Sequence, residues 1–180
     1  MVAGFKRVVT AVDEKGKSIV AQETSLQPIE ITMMPGAEFY FVWGCETLPN
    51  VPVERPVAAH QPFFPGPGGS RFGIVRFPPA ASATEAELDE AAVNALVADC
   101  EAKLPGLIGA FDPDGSGMHT TSTVDYDIVL EGELHLELDD GAEVQLPAGS
   151  CVVQNGTHHA WHNRGSVPAL LAYVSLGAAT

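Results

Sequence analysis

Residues 149–163 read Gly-Ser-Cys-Val-Val-Gln-Asn-Gly-Thr-His-His-Ala-Trp-His-Asn, and upstream of them residues 119–132 read His-Thr-Thr-Ser-Thr-Val-Asp-Tyr-Asp-Ile-Val-Leu-Glu-Gly. Both are short β-type runs closed by turn glycines. Side chains alternate along a strand, so His119, Thr121, Thr123 and Asp125 project to one face, and His159, Trp161 and Asn163 share one face of a later strand. If both faces point into one barrel, two imidazoles and a carboxylate converge there. Such a two-His-one-carboxylate set leaves coordination positions open on Fe(II) or a similar divalent ion. Spacing alone does not establish the site, because two His and an Asp on strands arise often by chance.

Working outward, everything from Met118 to Ser175 is strand and turn. The β runs Val124–Leu130, Leu134–Leu138, Ala142–Leu146, Ser150–Val153, His159–His162 and Ala169–Val174 are separated by Gly-containing turns, which predicts an antiparallel barrel or jelly roll. Upstream, Lys6–Val12 and Ser18–Gln22 flank a turn with Gly16 available for positive φ, a predicted hairpin. The aromatic run from Glu38 to Cys45 and the stretch from Arg71 to Phe77 suit strands. Between them, residues 48–70 carry six prolines and form a loop, either a lid over a site or poorly ordered. One helix is expected over about 84–104, opened by a Thr84/Glu87 capping box and presenting Leu88, Ala92, Leu96, Cys100 and Leu104 on one stripe. Its expected job is to cover a sheet face. The linker from Phe111 to Gly117 lacks the ligands of a calcium loop.

The two quoted stretches resemble the paired motifs of the cupin superfamily, His-x-His-x3–4-Glu-x6-Gly and Gly-x5-Pro-x-Gly-x2-His-x3-Asn. The resemblance covers roughly residues 117–178. It implies an all-β cupin jelly-roll barrel at 117–180, with residues 1–116 as an N-terminal β extension, its loop and one covering α-helix packed on the barrel. It also implies one divalent metal ion, Fe(II) favoured with Mn, Ni or Zn as alternatives, and a homodimer. Carried over residue by residue, the metal ligands are His119, Asp125 and His159. Thr121 falls where the family has its second His, and Asp125, one methylene shorter, where it has Glu. Gln154 stands at the usual Pro. Thr121, Trp161 and Asn163 then fall in the substrate pocket.

Asp127 shares parity with Asp125. If both face inward, their proximity raises one pKa and makes a proton donor or base near neutrality; a bulge would instead turn Asp127 to solvent. His158, His162, His135 and Tyr126 are expected on outer faces, and His60 in an exposed loop. Trp161 forms either a cavity wall or ordinary core packing. Arg71 or Arg76 either meets a substrate carboxylate or, more commonly, snorkels to solvent. Cys45, Cys100 and Cys151 are three without Cys-x-x-Cys spacing, which fits a reducing cytoplasm and makes Cys151 a buried small hydrophobe.

The chain has 180 residues with 46% hydrophobic and 18% charged, enough for a sizeable core. A net charge of −14 disfavours nucleic acid and anionic membranes as partners. No run approaches a membrane span, and the N-terminus lacks a signal-peptide pattern. The leading functional expectation is a metal-dependent enzyme on a small organic molecule, oxygenase-like or, with Asp127 moving a proton, lyase-, dehydratase- or isomerase-like. The competing expectations are a non-catalytic cupin that binds a small ligand, and an accessory subunit docking through its Pro-rich loop.

Overall fold

The computed structural model describes residues 4–79 and 89–179. Strands β1 (Phe5–Val12) and β2 (Ser18–Leu26) form the N-terminal hairpin. Asp13 closes its turn by accepting from the backbone amides of Lys15 and Lys17, with Gly16 at φ +75°. Then come β3 (Glu38–Cys45), β4 (Ser70–Phe77), helix α1 (Glu90–Lys103), β5 (Thr123–Glu131), β6 (Glu133–Leu138), β7 (Glu143–Pro147), β8 (Cys151–Gln154), β9 (His159–His162) and β10 (Ala169–Gly177). A five-stranded sheet of order β3-β4-β10-β5-β8 faces a three-stranded sheet of order β7-β6-β9, and every pairing is antiparallel. This is the all-β jelly-roll architecture expected, with β3 and β4 from the first half of the chain built into the larger sheet.

Between the sheets, Val129, Leu134, Leu136, Leu146, Ala169 and Leu171 form one apolar cluster. A second lies under the helix, where Cys100, Leu104 and Leu107 pack on Ile31, Phe39 and Val75. Removing such side chains from water is the main stabilising term, at ~25 cal/mol per Å². Among the described residues no helix is long and apolar enough to cross a membrane.

Three expectations are corrected. The helix opens at Glu90, later than expected: Asp89 is its N-cap, and its carboxylate accepts from the Ala92 amide at 2.8 Å. Thr84, Glu87 and Leu88 lie outside the described residues. Cys151 is exposed too, since Gln154 faces inward on β8 and a period of two sends residues 151 and 153 outward. Arg71, finally, does not snorkel. It is 1% exposed. Its guanidinium donates to the carbonyls of Pro62, Cys45 and Ser70 and pairs with Glu46 at 2.8 Å, pinning both ends of the Pro-rich loop to β4. The loop therefore takes a definite path, and Phe63 and Phe64 on it pack edge to face beside Phe39 and Tyr173.

Candidate active site

A cavity of about 170 Å³ opens between the two sheets and the helix-side loops. Its walls are aromatic and aliphatic, with Phe63, Phe64, Phe77, Phe111 and Trp161 prominent, and its polar groups are His119, Thr121, Asp125, Asp127, His159, Tyr173 and Ser175. Strand alternation delivers them. On β5, Thr123, Asp125, Asp127 and Val129 are buried while Tyr126, Ile128 and Leu130 are exposed, so Asp127 faces inward with Asp125. On β10, Tyr173 stands opposite Asp127 and Ser175 opposite Asp125.

His119 and His159 are brought together by main-chain pairing. His119 N donates to His159 O at 2.8 Å and His159 N to His119 O at 3.0 Å, an antiparallel bridge that sets the rings on one side with centroids 4.1 Å apart. Each Nδ1 meets a carbonyl, Gly117 O at 3.1 Å and Thr157 O at 2.9 Å. A carbonyl only accepts, so Nδ1 carries the proton in both rings. Burial, and for His119 also its neighbour His159, depresses both basicities, His119 to about 4. Both rings are therefore neutral at pH 7, with an Nε2 lone pair free on each.

The carboxylates respond oppositely. Burial raises the pKa of Asp125, offset by hydrogen bonds from Ser175 and Thr123. Burial and the adjacent Asp125 raise Asp127 further, to about 7. Thr123 bridges the Thr121 hydroxyl at 2.8 Å and Asp125 Oδ2 at 3.0 Å, and with one proton per hydroxyl the chain runs from Thr121 through Thr123 to Asp125. Among the described residues Asp125 Oδ1 is buried with no partner, as is Nε2 of Gln154, its cross-strand neighbour. An orphaned carboxylate oxygen costs its full desolvation unless something binds it. Among the described residues no three His, Cys, Asp or Glu side chains stand together as a formed metal site. Two neutral imidazoles with free Nε2 atoms and one orphaned carboxylate oxygen nonetheless fit the donor chemistry of a divalent transition metal.

No protein-family model matches the chain. Over 64 residues, 34% of the chain, it is 39% identical to the cupin-domain-containing oxidoreductase virC of Hypocrea virens, of which the stretch makes up 33%. Similarly named proteins of Neurospora crassa and Aspergillus ruber match 64 residues at 36% and 34% identity. Over this stretch the chain is similar to cupin-domain proteins. The chain is also 49% identical over 47 residues to Phomopsin biosynthesis cluster protein C' of Diaporthe leptostromiformis, 26% of the chain and 25% of that protein. The matches span about a quarter to a third of these curated relatives' length. Among solved structures, a predicted oxalate decarboxylase from Thermotoga maritima is similar at 15% identity and TM-score 0.44, covering 84% of this chain and 92% of that one.

The remaining expected site residues divide. Thr121 and Trp161 line the cavity. Asn163 does not: its amide donates to Phe77 O and Val167 O while its Oδ1 accepts from Gly165 N, so it ties the turn after β9 to the end of β4. A polar side chain ending a strand is more useful to the free backbone groups there than to a ligand. His158 lies outside, between Asp112 and Asp139, and His162 pairs with Glu137. His60 is exposed and Tyr126 faces solvent. Sequence reasoning put Thr123 on the inward face without giving it a role, and missed Tyr173 and Ser175 as members of the polar cluster. Their parity was available, but only the strand order β4-β10-β5 shows which of them face Asp125 and Asp127.

Proposed function

We propose that this protein is a metal-dependent cupin oxidoreductase acting on a small, largely apolar organic molecule. The observation that carries the reading is that His119 and His159, each with an Nε2 lone pair, and Asp125, whose buried Oδ1 finds no partner among the described residues, line one aromatic-walled cavity. These three residues would hold one divalent ion, with Fe(II) favoured because such a donor set leaves positions open. When bound, the ion would supply a meeting point for substrate and dioxygen and a route for electrons between them. The names of the curated relatives support oxidation.

The chain's own residues do the rest. Phenylalanine walls exclude water, which strengthens every electrostatic contact inside. A cavity near 170 Å³ compares with the ~150 Å³ engineered cavity that holds benzene, so it suits a molecule of about one ring. Thr121 and Thr123 hold Asp125 in one orientation. Asp127 has no hydrogen-bond partner among the described residues and faces the same space, free to take a proton from a substrate hydroxyl or acidic carbon. The same placement favours a second reading, in which Asp127 drives an elimination or isomerisation without oxygen.

Oxygen uptake by the iron-loaded protein, screened with small phenols, ketones and acids, tests the choice. Substrate-dependent uptake, slowed about 100-fold or more in Asp127→Asn with metal content unchanged, is the expected result. Substrate turnover without oxygen consumption would overturn the oxidase reading in favour of the second.

A further inference from the structure

Between the N-terminal hairpin and the Pro-rich loop lies a second cleft, of about 580 Å³, that shares no described lining residue with the aromatic cavity. Its size falls within the ~300–1,000 Å³ of small-molecule pockets. Main-chain bonds fix its walls: Val12 N donates to Val53 O and Ala59 N to Gly44 O, both at 2.9 Å, tying the loop to the hairpin and to β3. Val42, Trp43, Phe72, Pro49 and Val57 make the lining largely apolar.

Its charge runs against the rest of the molecule. The chain carries 23 acidic residues and a net −14, yet Arg7 and Arg55 line the cleft and no described Asp or Glu does. Each of the other three arginines meets a glutamate, Arg71 with Glu46, Arg76 with Glu38 and Arg164 with Glu143. Arg7 and Arg55 form no ion pair among the described residues. On the hairpin, Lys6 and Glu23 are spent on each other at 2.7 Å, and Glu54, next to Arg55 in the chain, stays outside the lining. Arg7 is also held in place. Its guanidinium carbon stands 5.6 Å from the Trp43 ring centroid, and its Nη1 donates to Val42 O at 3.3 Å. Stacking engages the face of a guanidinium and leaves its in-plane donors for a ligand. One of those, Nε, is buried with no partner among the described residues, a cost that an acceptor in the cleft would remove.

We propose that this cleft binds a small organic anion, its oxyanion between Arg7 and Arg55 and its apolar body against Phe72 and Val57. Planar donors suit a carboxylate or a phosphate. A nucleic acid or other polyanion is disfavoured, because two cations stand in an otherwise acidic molecule. The site is separate from the reaction proposed above and does not depend on it.

Trp43 and Trp161 are the two tryptophans of the chain, so in Trp161→Phe the emission reports the cleft alone. Octanoate and octyl phosphate are the probes, with octan-1-ol as the uncharged control. At least one anion is expected to change Trp43 emission saturably at millimolar concentration, more weakly as sodium chloride is raised, while octanol has little effect. The tighter of the two anions identifies the oxyanion as carboxylate or phosphate. Arg7→Gln with Arg55→Gln is expected to weaken binding about 10-fold or more, with far-ultraviolet circular dichroism unchanged. No saturable response to either anion would overturn the proposal, as would octanol binding equally well or a folded double variant binding undiminished. Should the double variant fail to fold, Arg55→Gln alone, at an exposed position, must still weaken the anion, and an unchanged affinity would overturn the site. Calorimetric titration of the wild type gives the same comparison if Trp161→Phe does not fold.

Discussion

At the residue scale, the inner row of β5 concentrates the cost of the site. Asp127 is buried beside Asp125 and its pKa is pushed up to about 7. A carboxyl whose folded pKa lies above its unfolded value withdraws stability as pH rises from about 4 through about 7. In metal-free protein, Asp127→Asn is therefore expected to raise the melting temperature at pH 8, by a free energy on the order of 2 kcal/mol, and to leave it nearly unchanged at pH 4. Equal effects at the two pH values would show that Asp127 does not ionise against burial. The histidines titrate the other way. Burial holds both neutral, His119 down to about 4, and their Nδ1–carbonyl bonds fix the tautomer. Replacing Thr123, 2% exposed, by Val removes the hydroxyl between Thr121 and Asp125 and leaves the carboxylate with less support. A loss of about 1–3 kcal/mol is expected, measured by urea denaturation.

At the element scale, two contacts position the cavity walls. Arg71 pins the Pro-rich loop that carries Phe63 and Phe64, and Arg71→Met leaves three carbonyls and Glu46 without their donor. The expected outcome is new proteolytic cleavage within 48–70 and a loss of roughly 3 kcal/mol; unchanged protease resistance would show that the loop holds itself. The second contact is between helix and barrel. Asp99 on α1 accepts from the Thr32 amide at 2.8 Å and pairs with Lys103, which together hold its pKa at about 2. A lowered carboxyl pKa gives stability above its unfolded value that fades as pH falls. The melting-temperature gap between wild type and Asp99→Ala is thus expected to be open at pH 7 and to close between about pH 4 and pH 2. Most elements were legible because alternation and glycine turns act locally: β5 to β9 fall within one residue of their expected bounds, and β10 runs three residues past Val174. Arg71 was not. A sequence shows its long charged side chain but not the carbonyls of Cys45, Pro62 and Ser70 that converge on it. Asn163 misled for a related reason: its place beside His159 is local, while its partners Phe77 and Val167 are set by the fold.

At the scale of the whole molecule, two unlike pockets carry the account. The inner face of the larger sheet gathers polar groups from β5 and β10 against a cavity of aromatic walls, and the cleft between hairpin and Pro-rich loop is lined by two arginines and no described carboxylate. The sequence pattern revealed the first through His119, Asp125, Asp127 and His159. The second went unnoticed because Arg7 and Arg55 look unremarkable until the hairpin and the loop are placed beside each other. The central claim is that His119, His159 and Asp125 hold a divalent metal, and metal content tests it most directly. Elemental analysis of untagged protein, purified without chelator alongside His159→Ala and Asp125→Ala, is expected to find close to one iron or manganese ion per chain in the wild type and little in either variant. If the wild type binds no metal, and added Fe(II), Mn, Ni or Zn leaves its melting temperature unmoved, the site is a small-molecule pocket without metal chemistry and the proposed oxidation fails.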